Sequence, residues 1–281
     1  MVHSLTPPSC TVREAFESTL KSVDDDGLRM RLEAITGAIA RNGQLYTQLA
    51  TGTELHKYPS VDHVGSVSKD ELQTNYRSRF VPFSTRRRHI YDEIKRGGIC
   101  PLCGCYPIHS LDHYLPQSKF PDLAVAPPNL VPSCSRCNES KRDSVPRDKQ
   151  SQTLHPYFDR LDAGRWLFAF VEEKQPAAVG FYVNPPSSWS RLQQQRLATH
   201  FKVHWLARTY AESAGAVLDD LQSEWRAWLP EDAPVELERR IRLSVDANPD
   251  PSKNRWRDVM YEVLYSSRWF LSGRGFIGAV E

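Results

Sequence analysis

Two closely spaced pairs of cysteines constrain the fold of this chain more than any other feature of its sequence. Cys100 and Cys103 form the first pair, Cys134 and Cys137 form the second, and residues 104–133 lie between them. Each pair can present two thiolates from a tight turn to one tetrahedral zinc ion, and soft sulfur ligands favour zinc over magnesium. The spacing therefore predicts a structural Zn2+ site. The alternative is a zinc ribbon that only binds nucleic acid or protein.

The cysteine content also bears on the compartment. Six cysteines in 281 residues are too few and too unevenly placed for a disulfide framework, and the C-x-x-C spacing in an intracellular protein indicates metal binding. No stretch approaches the roughly 18 uncharged apolar residues that a membrane span needs. Residues 1–12 lack the basic start and apolar run of a signal peptide. We expect a cytoplasmic protein without a membrane partner.

Charge restricts how the chain can bind nucleic acid. The net charge is only +2, so such affinity must come from local basic patches. Residues 69–96 contain eight Lys or Arg against four Asp or Glu, and Arg86, Arg87 and Arg88 open a predicted helix there. We expect these arginines to contact a nucleic-acid backbone, with a solvated helix face as the alternative.

Hydrophobic periodicity predicts an α+β protein that is mostly helical. Capping boxes at Thr11 and Ser68 open two helices, and a further amphipathic run covers residues 28–49. Ser84 is expected to cap a helix that ends at Gly97. Short apolar runs at residues 166–171 and 179–183 can pair as strands, and the chain from Ser187 onward is mostly helical, with one apolar face running from Val203 to Trp228.

The length allows one large domain or two modest ones. Residues 51–67, with few periodic apolar residues, are the best candidate for a linker. We therefore expect an N-terminal helical region over residues 1–66, a core with preceding basic helices over 67–148, and a C-terminal mostly helical region over 149–281.

The segment around the cysteines contains further motifs that a plain zinc ribbon does not require. An Asp-His pair, Asp112 and His113, follows the first cysteine pair, Asn129 precedes the second, and Asn138 directly follows Cys137. This run resembles the HNH endonuclease superfamily. The ββα-metal fold of that family places an Asp-His pair on the first strand, an Asn in the intervening loop, and a His or Asn at the start of the helix. The resemblance covers about residues 98–147.

The resemblance implies a role for each of these residues. Asp112 and Asn138 would bind one catalytic divalent cation, His113 would be the general base, and Asn129 would brace the loop beneath His113. Many members of the family have His where this chain has Asn138. Two oxygen ligands completed by water and phosphate suit Mg2+ or Mn2+ better than zinc.

Physical chemistry agrees with this division of roles. A strand sends Asp112 and His113 to opposite faces, so one residue can bind the metal while the other acts on water. A neutral imidazole can take a proton from that water. Lys141 and Arg142 are predicted one turn into the following helix, where they can hold phosphate beside helix N-terminal amides. Their alternative role is simple solvation of the helix.

These observations predict a metal-dependent endonuclease that hydrolyses phosphodiester bonds of nucleic acid, with DNA as the expected substrate. The alternative is a catalytically inactive zinc ribbon that binds nucleic acid or a protein partner. An HNH core between helical regions is also similar to nuclease subunits of bacterial anti-phage defence systems, which often act beside an ATPase subunit. That similarity concerns architecture alone, and a homing or restriction-like enzyme remains an alternative.

Overall fold

The computed structural model of the chain describes residues 4–82, 88–161, 163–247 and 254–276. Within these residues helices dominate, and the strands form small two-stranded antiparallel sheets. The prediction of a mostly helical α+β protein is confirmed. The chain forms two compact units, one that extends to Arg160 and one that begins at Leu161.

The first unit contains five α-helices and two sheets among its described residues. Its helices and strands, in chain order, are α1 (Val12–Leu20), α2 (Asp26–Thr51), β1 (His63–Val64), β2 (Val67–Ser68), α3 (Lys69–Asn75), α4 (Arg88–Lys95), β3 (Ser110–His113), β4 (Leu130–Ser133) and α5 (Ser135–Lys141). A π-helical segment, Tyr76–Phe80, extends α3, and short 3-10 turns lie at Leu55–Lys57, Pro121–Leu123 and Pro127–Asn129.

Helices α1 and α2 form the hairpin that the N-terminal pattern predicts. The Thr11 capping box with Glu14 is present, and Phe16 is buried between the helices. Gly43 permits their close approach, because a Cβ atom there would lie 2.4 Å from a methyl carbon of Val12. The Ser68 capping box is present too, whereas the expected cap Ser84 lies outside the described residues.

The segment expected to be a linker, residues 51–67, is packed into the first unit. Leu55 is 1% exposed and Val67 is fully buried. The backbone amide of Leu55 donates to the side chain of Gln152 at 3.0 Å. The N-terminal helices and the segment 67–148 therefore belong to one compact unit, which continues past the expected boundary at residue 148 to Arg160.

The cysteine-rich region forms a compact ββα element. Strands β3 and β4 pair antiparallel, with Asp112 opposite Val131 and His113 opposite Leu130. Helix α5 begins two residues after β4 ends, with Cys134 as its N-cap. A tight series of turns between the two strands passes beneath His113. This element places the two cysteine pairs and the Asp-His pair in one region.

The second unit contains a hairpin followed by helices. Its elements among the described residues are β5 (Leu167–Glu172), β6 (Ala178–Val183), α6 (Arg191–Val203), α7 (Leu206–Ala227), α8 (Ala233–Asp246), α9 (Trp256–Ser266) and α10 (Arg268–Leu271). The predicted pairing of the two strands is confirmed.

The apolar face that the sequence continues from Val203 into the following helix is interrupted in the structure. Helix α6 ends at Val203, and Trp205 adopts a left-handed conformation (φ +50°) as the N-cap of α7. Along α7, Tyr210 and Leu221 are buried as expected. Trp225 is half-buried and packs on Phe276, with ring centroids 5.3 Å apart. None of the helices in the described residues is long and apolar enough to cross a membrane.

Candidate metal centre and active site

The four cysteines of the two C-x-x-C pairs come together as the sequence predicts. All four are buried, and their sulfur atoms lie within 4.8 Å of one another. The Sγ atoms of Cys103 and Cys134 are 3.8 Å apart. Tetrahedral zinc with Zn–S bonds of about 2.3 Å places its sulfur ligands about 3.8 Å apart. The cluster therefore has the donor atoms and the size to hold a zinc ion.

Local backbone geometry builds each half of this cluster. Gly104, at φ +62°, follows the first pair, and its amide donates to the Cys100 carbonyl at 2.8 Å. In the second pair, the Cys134 sulfur accepts a hydrogen bond from the Cys137 amide at 3.4 Å. Hydrogen bonds among the four sulfur atoms lower the pKa of Cys100 and raise those of Cys103 and Cys137. The two turns thus direct all four sulfur atoms to one point.

Asp112 lies on β3, almost fully buried, and faces helix α5. Its Oδ2 atom is 3.6 Å from the ammonium of Lys141. Burial raises the pKa of Asp112 to about 6, while the charge of Lys141 acts in the opposite direction. The buried Asp112 carboxylate is therefore paired with the Lys141 ammonium and has little contact with solvent.

Asn138 lies on the same face of α5 as Lys141, three residues earlier. Its amide nitrogen is 3.5 Å from the Ser110 hydroxyl. Ser110 and Asp112 point to the same face of β3, because alternate residues of a strand share a face. One face of α5 therefore covers the face of β3 that carries Asp112, so the two predicted ligands of a catalytic cation lie on facing elements.

His113 is buried on the other face of β3. Its Nε2 atom lies 2.8 Å from the carbonyl oxygen of Ala124, and its ring contacts the edge of Tyr76 with centroids 4.6 Å apart. A carbonyl can only accept, so Nε2 carries the proton and Nδ1 is the basic nitrogen of the neutral ring. Burial lowers the pKa of His113 to about 4, so the imidazole is neutral at pH 7.

Asn129 is bonded to the loop next to His113. It is fully buried, and its side-chain oxygen accepts from the Leu115 amide at 2.8 Å. Its side-chain nitrogen donates to the carbonyls of Leu115 at 3.0 Å and Leu123 at 3.4 Å. These bonds tie the end of β3 to the turn that leads to Ala124. None of these side-chain bonds connects Asn129 to Asp112.

The basic residues are placed differently from the expectation. Helix α5 ends at Lys141, so Lys141 and Arg142 lie at its C-terminal end and not beside its N-terminal amides. Lys141 is 6% exposed and turned inward, whereas Arg142 is exposed. The position predicted for these two cations at the helix N-terminus is therefore corrected, because α5 is only 7 residues long.

Of the three arginines predicted to contact nucleic acid, Arg88 lies within the described residues, at the start of α4. Arg88 donates to Asp92 at 3.0 Å and to the Val81 carbonyl at 2.6 Å, and its guanidinium lies over the Tyr91 ring. Its charge is thus engaged within the protein. Arg86 and Arg87 lie outside the described residues.

The structure adds two residues that the sequence did not single out. Tyr76 packs against His113 from the π-helical segment after α3, and Asp122 anchors the turn that ends at Ala124. Leu72, Tyr76 and Phe80 are spaced four residues apart, so the sequence predicts that Tyr76 is buried in the core. This spacing does not indicate that Tyr76 lies next to a candidate catalytic residue. Asp122 follows Pro121 in a loop, where an exposed turn residue is the ordinary expectation.

Comparison with known proteins adds one relative. No protein family model matches the chain, and no solved structure matches it. The chain is 29% identical over 254 residues to Protein ea31 of Escherichia phage lambda, an alignment that covers 84% of this chain and 84% of that protein. The name of the lambda protein states no activity, so the chain has a phage relative over most of its length without a stated function.

Proposed function

We propose that this chain is a metal-dependent endonuclease of the HNH type that hydrolyses phosphodiester bonds, with DNA as its substrate. The observation that carries the proposal is the state of His113. The residue is buried beside Asp112, and its Nε2 hydrogen is committed to the Ala124 carbonyl. On the opposite face of the same strand, Asp112 and Asn138 lie on facing elements, which is the arrangement that a division between a metal ligand and a general base requires.

His113 would act through Nδ1. The ring is neutral at pH 7 because its pKa lies near 4, so Nδ1 is available to take a proton from an attacking water. The Ala124 carbonyl would stabilise the imidazolium that forms, because it accepts the Nε2 hydrogen in both charge states. General base catalysis of this kind accelerates a reaction by about 10²–10⁴-fold.

Asp112 and Asn138 would hold a divalent cation. A carboxylate and an amide oxygen are hard donors that suit Mg2+ or Mn2+, and the amide nitrogen of Asn138 is the atom that faces Ser110, which leaves its oxygen as a ligand. A bound Mg2+ or Mn2+ supplies charge neutralisation on the scissile phosphate and the departing 3′ oxygen. The zinc cluster, made of other residues, has a structural role.

The zinc-ribbon alternative accounts for the four cysteines but leaves the buried Asp112 and His113 without a purpose. Each is paired within the protein, Asp112 with Lys141 and His113 with the Ala124 carbonyl, and a zinc ribbon requires neither pair. A role beside an ATPase in phage defence has only the architecture of helices around the core in its favour.

The test is cleavage by the purified protein. Supercoiled plasmid, linear duplex, single-stranded DNA and RNA are each incubated with Mg2+, Mn2+ or no added cation. We expect cleavage of DNA with Mg2+ or Mn2+, and loss of at least about 10²-fold in rate for His113→Ala. His109→Ala is the matched control, since His109 is exposed four residues away. Equal activity of wild type and His113→Ala would refute the proposal, and binding without cleavage would favour the zinc-ribbon alternative.

A further inference from the structure

The turn beneath His113 is anchored to the N-terminal helices by one buried carboxylate. Asp122 is 1% exposed, although it lies in the connection between β3 and β4. Its Oδ2 atom accepts a hydrogen bond from the Tyr58 hydroxyl at 2.5 Å and another from the Asn42 amide at 2.9 Å. Asn42 belongs to α2 and Tyr58 to the segment that follows α2. Asp122 therefore joins residues far apart in sequence.

A short series of bonds leads from this anchor to the imidazole. Asp122 is the middle residue of the 3-10 turn Pro121–Leu123, and the Ala124 amide closes that turn on the Pro121 carbonyl at 3.1 Å. The Ala124 carbonyl then accepts the Nε2 hydrogen of His113 at 2.8 Å. The position of Asp122 thus determines where that carbonyl lies.

We propose that Asp122 is a positioning residue for His113: by fixing the turn 121–124 to Asn42 and Tyr58, it holds the Ala124 carbonyl that selects the Nε2-protonated tautomer. This inference rests on the proposed function for its catalytic meaning. It also assigns a task to the N-terminal helical region, because Asn42 of α2 and Tyr58 after it hold this turn.

The chemistry of the anchor supports this role over simple stabilisation of the loop. Two donors converge on Oδ2, whereas Oδ1 has no hydrogen-bond partner within the described part of the chain. A buried carboxylate with one unsatisfied oxygen is a costly way to hold a turn, and an apolar side chain would fill the space at lower cost. The carboxylate instead fixes the orientation of the turn, because its hydrogen bonds to Tyr58 and Asn42 are directional.

Asn129 holds the same turn from the other side, through its 3.4 Å bond to the Leu123 carbonyl. Its remaining bonds reach Leu115, at the end of β3. Asn129 therefore fixes the turn relative to the strand that carries His113. Asp122 fixes it relative to α2, and both restraints are needed to define the position of one carbonyl.

The experiment reads the tautomer of His113 directly. 15N NMR of histidine-labelled full-length protein distinguishes protonated from unprotonated ring nitrogens, and the His113 signals are those lost in His113→Gln. The variants are Tyr58→Phe, which removes one donor to Asp122, and Asp122→Asn, which keeps the shape and weakens both bonds. Tyr46→Phe is the matched control, because Tyr46 is fully buried on the same helix α2 and bonds His155 instead.

We expect wild type and Tyr46→Phe to show the Nε2-protonated form of His113 alone. Tyr58→Phe and Asp122→Asn should show a mixture of tautomers. The kcat for DNA cleavage should fall about fivefold to tenfold in Tyr58→Phe with KM unchanged, the size expected for the loss of one buried hydrogen bond.

An unchanged His113 tautomer in both variants would overturn the inference, and so would an equal change in Tyr46→Phe, since that would indicate general loosening. Tyr58→Phe keeps the test valid if Asp122→Asn fails to fold, because it leaves the carboxylate in place. The NMR result does not depend on cleavage. A failure of the proposed nuclease function is therefore distinguishable from a failure of this inference.

Discussion

The ammonium of Lys141 lies 3.6 Å from one carboxylate oxygen of Asp112, and the two side chains are only 6% and 10% exposed. The same ammonium donates to the His113 carbonyl at 2.6 Å. Removal of two charges from water is expensive, and such a pair persists where further hydrogen bonds compensate for the lost hydration. Lys141 therefore links the two adjacent residues of the Asp-His pair to the last turn of α5.

Lys141→Met should lower the free energy of unfolding by about 3–5 kcal/mol, because it leaves the Asp112 carboxylate buried without a cation. Urea denaturation at pH 7 measures the change. Lys149→Met is the control, since Lys149 pairs with Glu54 at 3.1 Å with 41% and 30% of the side chains exposed. Such an exposed pair contributes at most about 1 kcal/mol. Equal losses in both variants would contradict the buried-pair assignment.

The pH dependence of stability should reveal two opposing titrations. Burial lowers the pKa of His113 to about 4, below its value of about 6.5 in an unfolded chain. The unfolded state then binds more protons between these values, so His113 makes stability rise as the pH rises through this range. Burial raises the pKa of Asp112 to about 6, above about 3.9 in an unfolded chain, so Asp112 makes stability fall with rising pH.

In the wild type these two slopes oppose each other between about pH 4 and pH 6. His113→Gln should therefore make stability fall more steeply with rising pH than in the wild type, and Asp112→Asn should make it rise more steeply. Urea denaturation at half-unit steps, with zinc retained and no magnesium added, measures both slopes. Parallel profiles for the three proteins would show that neither group titrates in this range.

Cys100→Ser should prevent folding of the ββα element, because structural zinc binding contributes about 10–16 kcal/mol in small zinc domains. Elemental analysis of the purified protein should show zinc in the wild type and its loss in the variant, together with a lower Tm. Cys105→Ser is the matched control, as this neighbouring cysteine lies outside the four-sulfur cluster. Zinc retention in Cys100→Ser would exclude the proposed ligand set.

Magnesium and zinc should be separable in the assay. Dialysis that removes magnesium while zinc remains bound should abolish cleavage, because the proposed ligands of the catalytic cation, Asp112 and Asn138, are distinct from the cysteines. Addition of Mg2+ or Mn2+ should restore the rate without a change in zinc content. Full cleavage by protein that contains zinc alone would show that the second cation is unnecessary and would refute the assigned ligands.

Local patterns were sufficient for much of the fold. The capping boxes at Thr11 and Ser68 each depend on residues three positions apart, and the strands of the β5–β6 hairpin are neighbours in the chain. The cysteine pairs likewise specify their own turns, which is why the zinc cluster was predictable from spacing alone. In these cases the interacting groups are close in sequence, so the pattern contains the contact.

The contacts that depend on distant residues were not predictable. The bond between Asn42 and Asp122 joins residues 80 positions apart. Helix α5 ends where Arg142 adopts a positive φ, and no glycine in the sequence marks that position. The inward direction of Lys141 follows from that early helix end. The sequence around Lys141 does not show that its side chain is buried and paired with Asp112.

Cys134 caps the N-terminus of helix α5, Cys137 lies within the helix, and Lys141 ends it, with Asn138 directly after Cys137. Each residue of an α-helix turns the next by about 100°. A single inserted or deleted residue between Cys137 and Lys141 would swing the Lys141 side chain away from Asp112 while leaving every functional side chain in the sequence. The contact between Lys141 and Asp112 therefore depends on the number of residues in this part of the helix as well as on their identities.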